Sequence, residues 1–293
     1  MQTVSNNNQP ETDVSGSRSS STIASEIPLD VLGVIFRSLD PQDLSTCCRV
    51  NKAVFSLAFE ALYRTLHPTR RNLMQLCLKL CNDSNLALLV RSFTISDNSV
   101  GMYLGIIQDT LLLLPRLHTL NLFIGQYGSW VLPRQKPCPF ALQAFSSSFF
   151  CDPDMISFLD GQPGVKHLTI SGPFNQAALR AITSRTVPHL TSIYAPLSVV
   201  EVLAPDRPIG VVTTYCTSDQ DQSTTLSISC LSRSTSPFGV QRLILNFVYL
   251  RNIGCEQLAQ AVPHLVFFKI DADDVKPDDE EVRRTLRMLQ TNI

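Results

Sequence analysis

Residues 117–122 have the sequence LHTLNL, with apolar side chains at the first, fourth and sixth positions. The alternation over the last three residues is typical of a β-strand that buries one face. The same pattern, an apolar anchor with apolar residues three and five positions later, recurs along the chain with two weaker matches. Its anchors are Val90, Leu117, Leu142, Val165, Leu190, Ile209, Val240 and Leu265. The eight anchors span 175 residues, a mean spacing of 25.

Segments of helical character separate several of these predicted strands. They are residues 106–114, 154–159, 175–184 and 255–261. Each unit is therefore predicted to be a strand followed by a helix or a turn. One such unit cannot bury its apolar side alone, whereas a stack of units can.

The spacing and the core pattern resemble those of leucine-rich repeats, whose period is about 20–29 residues. The Asn that this family carries at the ninth position is matched only by Asn98, so the resemblance implies an irregular solenoid. A plain α/β domain with coincidental spacing is the alternative.

Residues 27–66, IPLDVLGVIFRSLDPQDLSTCCRVNKAVFSLAFEALYRTL, predict three helices. Asp40 and Pro41 indicate where the second helix begins, as N-cap and first helical residue. The first helix carries apolar residues at helical spacing, and the third is predicted to extend to Leu66. Of the 40 residues, 22 are apolar, more than three short helices can bury among themselves. The surplus must contact either the rest of the chain or a partner.

This segment resembles an F-box, the module that docks onto the Skp-family adaptor of cullin–RING ubiquitin ligases. The matching residues are Ile27-Pro28, Asp30, Ile35-Phe36, Leu39, Asp40-Pro41, Asp43-Leu44, Cys48 to Lys52, Leu57-Ala58 and Leu62-Tyr63. Val54 stands where the family often has Trp. The resemblance implies that the adaptor contacts Pro28, Leu29, Leu32, Ile35, Phe36, Leu39, Leu44 and Val50. With its repeats, the chain resembles the fungal F-box proteins that carry irregular leucine-rich-like repeats.

Composition excludes several classes of protein. The chain has 293 residues, 24 basic and 25 acidic, with a net charge of −1, which argues against nucleic-acid binding and a polybasic membrane surface. Its apolar runs are shorter than the roughly 20 residues of a membrane span. Nine cysteines, with neither a Cys-x-x-Cys pair nor a signal peptide, indicate reduced thiols and a cytoplasmic or nuclear location.

The sequence contains no recognisable catalytic motif, so we expect no enzyme activity, cofactor or metal. One alternative is a cryptic cysteine nucleophile, which would need a thiol of low pKa. Cys77 and Cys81, spaced as on one helix face, are expected to be core residues.

A substrate surface is predicted from the positions one, two and four residues after each anchor, which should point away from the core. The charged residues at these positions are all basic: Arg91, Lys166, Arg242 and Lys269. Asn121, His118, His167 and Tyr194 occupy the same positions, and Trp130 lies in a Gly/Pro-rich loop. This pattern favours a protein substrate that is acidic or phosphorylated.

The predicted fold class is mixed α/β, a three-helix F-box followed by an irregular leucine-rich-repeat-like solenoid. Residues 1–25, rich in Ser and Asn, are expected to be disordered. Residues 26–66 form the helical module, and residues 67–293 the repeat domain with a capping helix near residues 277–290. The predicted function is substrate recognition in a Skp–cullin–F-box (SCF-type) ubiquitin ligase. The alternative is a non-ligase scaffold whose helical module only caps the repeats.

Overall fold

A computed structural model of the chain describes residues 28–134, 137–215, 228–246, 249–250, 253 and 255–271. The chain divides into two compact units, Met1–Ala58 and Phe59–Ile293. The expected disordered tail at residues 1–25 and the expected capping helix at residues 277–290 lie outside the described residues.

The chain begins its described part with three helices. They are α1 (Leu29–Phe36), α2 (Pro41–Cys47) and α3 (Lys52–Arg64). The start of α2 is confirmed, because Oδ1 of Asp40 accepts hydrogen bonds from the backbone N–H groups of Gln42 and Asp43, both at 2.9 Å. Asn51 caps α3 in the same way, accepting from the N–H of Val54 at 2.9 Å.

Nine parallel strands of the second unit form one sheet, in which the strand order follows the chain order. They are β1 (Thr65–Leu66), β2 (Ser92–Ile95), β3 (Thr119–Leu122), β4 (Ala144–Ser147), β5 (His167–Ile170), β6 (Ser192–Ala195), β7 (Val211–Thr214), β8 (Arg242–Asn246) and β9 (Phe267–Asp271). The mixed α/β class is confirmed, and the eight predicted strand cores lie in β2–β9. The assignment of Leu66 to the third helix was wrong, because Leu66 lies in β1 and pairs with Phe93.

Helices connect most of these strands. They are α4 (Leu73–Asn82), α5 (Ser84–Ala87), α6 (Leu104–Leu111), α7 (Pro153–Asp160), α8 (Gln176–Arg180), α9 (Leu197–Leu203) and α10 (Cys255–Ala261). Four of them overlap the predicted helical segments, although α8 is shorter than predicted. Within the described part of the chain, no helix is long and apolar enough to cross a membrane.

The core of the second unit lies on one side of the sheet. In-register pairing aligns one buried residue from each of eight neighbouring strands: Leu66, Phe93, Leu120, Phe145, Leu168, Ile193, Val212 and Leu243. Fully burying a large apolar side chain contributes roughly 1.5–3 kcal/mol. Each added strand therefore continues the same hydrophobic row.

The other side of the sheet is the open face, formed by the strand residues that alternate with the buried ones. From β2 to β9 it comprises Ser92, Thr94, Thr119, Asn121, Ala144, Ser146, His167, Thr169, Ser192, Tyr194, Val211, Thr213, Arg242, Ile244, Phe267 and Lys269. All of them are half-buried or exposed. The face changes in character along the sheet, from small polar residues to aromatic, aliphatic and basic ones.

Candidate functional site

Apolar side chains are exposed on α1, on α3 and in the turn before α3 in the first unit. We call them the apolar surface: Leu29, Val31, Val34, Ile35, Val50 and Phe55, each between 43% and 65% exposed. An isolated exposed apolar residue is ordinary, but six within so short a segment are typical of a protein-interaction surface.

The eight residues predicted to contact the adaptor fall into three groups. Pro28, Leu29, Ile35 and Val50 are exposed, and Leu32 and Leu39 are half-buried. Phe36 and Leu44 are buried, at 5% and 4% exposure. The exposed members are available to a partner directly, whereas Phe36 and Leu44 lie inside and stabilise the helices that present them.

The sequence prediction did not include Val31, Val34 or Phe55 of the apolar surface. For the first helix it followed the apolar residues at spacings of three and four, which define one side of the predicted helix: Leu29, Leu32, Ile35, Phe36 and Leu39. Six of the eight residues of α1 are apolar, however, so the helix is apolar on nearly every side. That composition was the available signal, because such a helix needs a neighbour on each side.

Two tyrosines stack on the open face of the second unit. The rings of Tyr194 in β6 and Tyr215, directly after β7, have centroids 5.0 Å apart and an interplanar angle of 16°. The Tyr215 hydroxyl donates a hydrogen bond to the carbonyl of Ile170 at 2.6 Å. This bond fixes the pair against the sheet, so it presents a rigid aromatic surface.

A cation–π pair lies two strands further on. The Arg242 guanidinium stands over the Phe267 ring, 4.6 Å from its centroid, and the two residues are directly paired between β8 and β9. Lys269 is two residues further along β9 on the same face. We call Tyr194, Tyr215, Arg242, Phe267 and Lys269 the aromatic–basic patch.

One acidic residue influences this patch. The pKa of the Tyr194 hydroxyl is raised, first by burial and then by the negative charge of Asp271 at the end of β9. The sequence analysis found only basic residues on this side because Asp271 lies six residues after its anchor, outside the positions considered. Arg242, Lys269 and Asp271 together leave an excess of one positive charge.

A second group of basic residues lies directly before the N-terminal ends of the strands. The carbonyl of Arg91 accepts hydrogen bonds from the N–H groups of His118 and Thr119, at 2.8 and 3.0 Å. The same double acceptance repeats at the carbonyls of His118 and Lys166. These hydrogen bonds hold the backbone of Arg91, His118 and Lys166 in one row across the N-terminal ends of the strands.

Positive charges are concentrated around Arg91. Its pKa is lowered by burial and then by the charges of Arg116 and Arg64, while Glu60 acts in the opposite direction. The Arg91 guanidinium also donates to the Arg116 carbonyl at 3.3 Å. Arg64 and Arg116 were not among the predicted site residues. They lie 27 and 25 positions from Arg91 in the sequence, and they come close to it only because β1, β2 and β3 are neighbouring strands.

The four predicted basic residues do not form one cluster. Arg91 and Lys166 lie ahead of their strands, whereas Arg242 and Lys269 lie on the open face. The first position after each anchor therefore lies directly before its strand, whereas the second and fourth positions lie within it. β2 and β8 are six strands apart, about 29 Å along the sheet at roughly 4.8 Å a strand.

The remaining predicted residues are divided between the open face and a loop. Asn121 and His167 lie on the open face, where the Asn121 amide donates to the Thr94 hydroxyl at 2.9 Å. Trp130 lies away from that face, in a short 3-10 turn at Ser129–Val131, and is 39% exposed.

Several thiols are deactivated by burial. Cys77 is fully buried in α4, as expected of a core residue. Burial raises the pKa of Cys151 and of Cys230 to about 12, and it also raises the pKa values of Cys48, Cys77 and Cys138. A nucleophilic cysteine needs the opposite shift. No group of three or more His, Cys, Asp or Glu residues in the described ranges could hold a metal ion.

Comparison with known proteins identifies the N-terminal segment. An F-box-like family model matches residues 24–69, which include α1, α2, α3 and β1. No curated protein is significantly similar to the chain. F-box domains typically bind Skp-family adaptors, and the domain suggests an adaptor role in SCF-type ubiquitin ligases. The match at residues 24–69, together with the helices and exposed apolar side chains found there, supports the assignment of this chain as an F-box protein.

Proposed function

We propose that this protein is a substrate-recognition subunit of an SCF-type ubiquitin ligase. Its first unit binds a Skp-family adaptor and, through it, a cullin, and its second unit binds a protein substrate. It is not itself an enzyme. It acts by proximity, because holding both partners raises the effective concentration of substrate near the ubiquitin-transferring subunits. The cytoplasm and the nucleus are the compartments in which it works.

The observation that carries the adaptor half of the proposal is the apolar surface. Its six side chains lie within the F-box-like match and are 43–65% exposed. Burying such side chains against a partner is favourable, whereas leaving six of them in water stabilises nothing. An adaptor with a complementary apolar groove is the partner that fits.

The substrate half of the proposal is supported by the open face. We interpret the stacked units as leucine-rich-like repeats, an architecture that offers extended binding surfaces. Tyr and Arg are enriched among the residues that dominate protein-interface energies, and the aromatic–basic patch contains both. Arg242 and Lys269 favour an acidic or phosphorylated substrate through charge-assisted hydrogen bonds.

The alternative is a non-ligase scaffold in which the helical module only caps the sheet. One observation favours it: α3 leads directly into β1, which forms the first edge of the sheet. Repeat arrays do need terminal caps. The two functions differ in whether an adaptor binds.

Affinity purification of the tagged full-length chain separates these two functions. The proposal predicts that a Skp-family adaptor and a cullin both appear in the eluate, at amounts comparable to the chain. Proteins that accumulate in the eluate when the proteasome is inhibited are then candidate substrates. An eluate that contains other proteins but neither adaptor nor cullin would support the scaffold and contradict the ligase proposal.

Reversing the charges of the aromatic–basic patch is expected to impair substrate capture. With Arg242→Glu and Lys269→Glu, the proteins that co-purify under proteasome inhibition should fall at least tenfold, since a hydrogen bond to a charged group contributes about 1.5–3 kcal/mol. Adaptor recovery should not change.

The matched control changes net charge equally at another place. Arg180→Glu with Arg185→Glu reverses two exposed bases in and after α8, away from the open face. Substrate capture by this control should equal that of the wild type. Equal capture by the patch variant and the control would rule out recognition through Arg242 and Lys269.

A further inference from the structure

We infer that a pocket beside Trp130 binds the side-chain ammonium of a lysine, methylated or unmethylated, presented by a partner protein. The pocket has a volume of about 310 Å³ and is lined by Gln126, Tyr127, Ser129, Trp130, Phe150, Asp152 and Asp154. None of these residues belongs to the open face or to the apolar surface, so the site goes beyond the function proposed above.

The composition of the lining suits an organic cation. Three of its side chains are aromatic, and aromatic ring faces attract ammonium groups through the ring quadrupole. Two more, Asp152 and Asp154, are carboxylates. Ligand pockets span about 300–1,000 Å³, so a volume near 310 Å³ matches one inserted side chain better than a large cofactor.

Neighbouring elements hold the tryptophan loop in place. The Gln108 side chain of α6 donates a hydrogen bond to the Trp130 carbonyl at 2.9 Å. Gly128 directly precedes the turn, and a Cβ there would lie 2.6 Å from the Phe149 ring. The loop can therefore pack this closely only with glycine at that position.

Hydrogen bonds join the two walls of the pocket. The N–H of Phe150 donates to the Gln126 carbonyl at 2.7 Å. The Ser129 hydroxyl donates to Oδ2 of Asp152 at 2.5 Å, and Oδ1 of Asp152 accepts from the N–H of Met155 at 2.9 Å. Asp152 is thus fixed by both oxygens, so the site is organised before a ligand arrives.

The electrostatics favour a positive ligand. Asp154 already attracts one cation, since its Oδ2 lies 2.6 Å from Nη2 of Arg134. Both partners of this ion pair are substantially exposed, at 62% for Arg134 and 40% for Asp154. Two carboxylates and one guanidinium leave a net charge of −1, which an incoming ammonium would neutralise.

The shape of the rim favours a long side chain from a partner. Tyr127 is 83% exposed and Trp130 is 39% exposed, so the aromatic wall continues outward from the pocket. The alkyl stem of a lysine can pack on such a rim while its ammonium reaches the carboxylates. A neutral side chain would pack on the rings equally well but would not neutralise the remaining negative charge.

The chain carries its own probe for this site. Trp130 is its single tryptophan, so intrinsic tryptophan fluorescence reports on the pocket. The full-length protein is titrated with Nα-acetyl-lysine methylamide, with its Nε-trimethyl form, and with the neutral isostere in which carbon replaces the ammonium nitrogen. Both cations should produce a saturable spectral change, and the isostere should bind at least tenfold more weakly. Sodium chloride at equal ionic strength should produce no saturable change.

The two cationic probes distinguish the form of lysine that the pocket prefers. Tighter binding of the trimethyl form identifies a methylated lysine, and tighter or equal binding of the unmethylated form identifies an ordinary one. Equal affinity for the neutral isostere, or no saturable change with either cation, would overturn the inference.

Two substitutions in the ion pair should change cation affinity in opposite directions. Asp154→Asn removes a carboxylate and should weaken binding several-fold, whereas Arg134→Gln frees the same carboxylate and should strengthen it. A merely structural role would make both variants bind more weakly, and that result would count against the site.

Tyr127→Ala should weaken cation binding without unfolding the protein, since Tyr127 is so exposed. Phe238→Ala, which removes an aromatic ring that is 66% exposed outside the pocket, is the control and should bind like the wild type.

Discussion

The double variant Leu29→Asp/Ile35→Asp is expected to bind a purified Skp-family adaptor at least tenfold more weakly than the wild type does. These side chains are 56% and 43% exposed in the free chain and become buried if α1 contacts the adaptor. Each large side chain contributes about 1.5–3 kcal/mol on full burial, and 1.4 kcal/mol corresponds to a tenfold change in Kd. Since each side chain is already about half buried, the two together contribute about 1.5–3 kcal/mol on binding, which is at least tenfold in Kd, and burying the introduced carboxylates adds to the loss. Titration calorimetry with the full-length chain measures the effect.

Two controls make this result specific to the apolar surface. Met102→Asp introduces one carboxylate at a residue of the second unit that is 75% exposed, and it should leave the Kd unchanged. Since Leu29 and Ile35 contribute little to the core, the double variant should keep the wild-type melting temperature. Wild-type affinity in a folded double variant would remove the docking proposal.

Parts of the fold were predictable because their determinants are local in sequence. Asp40 and Pro41 mark the start of α2 through hydrogen bonds that span only three residues. The strands were predictable from the spacing of the anchors, because alternation along an isolated strand already indicates which side chains are buried. Apolar content alone indicated the surplus surface of the helical module.

Other parts depend on contacts between distant residues, to which no local pattern corresponds. β1 has only two residues, too few for a periodicity, and it is defined by its pairing with β2. Tyr194 and Tyr215 stack because β6 and β7 are neighbours, although the two rings lie 21 positions apart in the sequence. The pocket beside Trp130 joins a loop after β3 to the start of α7. Trp130 itself was identified as a candidate, but its neighbours were not.

Arg207 is buried although its local sequence is typical of an exposed segment. It lies in the segment APDRPIG, whose prolines and charges are typical of an exposed loop. In the structure it is 2% exposed. Burial lowers its pKa, an effect that the charge of Asp206 partly offsets, yet a guanidinium remains protonated under all ordinary conditions. A buried cation of this kind must be compensated by hydrogen-bond acceptors.

Four backbone carbonyls provide that compensation. The Arg207 guanidinium donates to the carbonyls of Thr183 at 2.6 Å, Thr186 and Leu203 at 2.9 Å, and Pro205 at 3.0 Å. Two of the acceptors follow α8 and two lie at or after the end of α9. Arg207 therefore joins the segment after α8 to the end of α9. A hydrophobic residue cannot do this, because it has no hydrogen-bond donors.

Arg207→Met is therefore expected to lower the free energy of unfolding by about 4 kcal/mol, although it keeps an unbranched side chain of similar length. A hydrogen bond to a charged group contributes about 1.5–3 kcal/mol, and the substitution leaves four carbonyls without this donor. Methionine also avoids the cost of burying a charge, which offsets part of that loss. Such a loss is a large part of the roughly 5–15 kcal/mol that stabilises a typical domain. Urea unfolding followed by circular dichroism measures it. Arg233→Met is the matched control, since Arg233 is 61% exposed and its ion pair with Asp206 is worth no more than about 1 kcal/mol. If both variants lost the same small amount of stability, the four carbonyls would not depend on Arg207, and water would have to satisfy them instead.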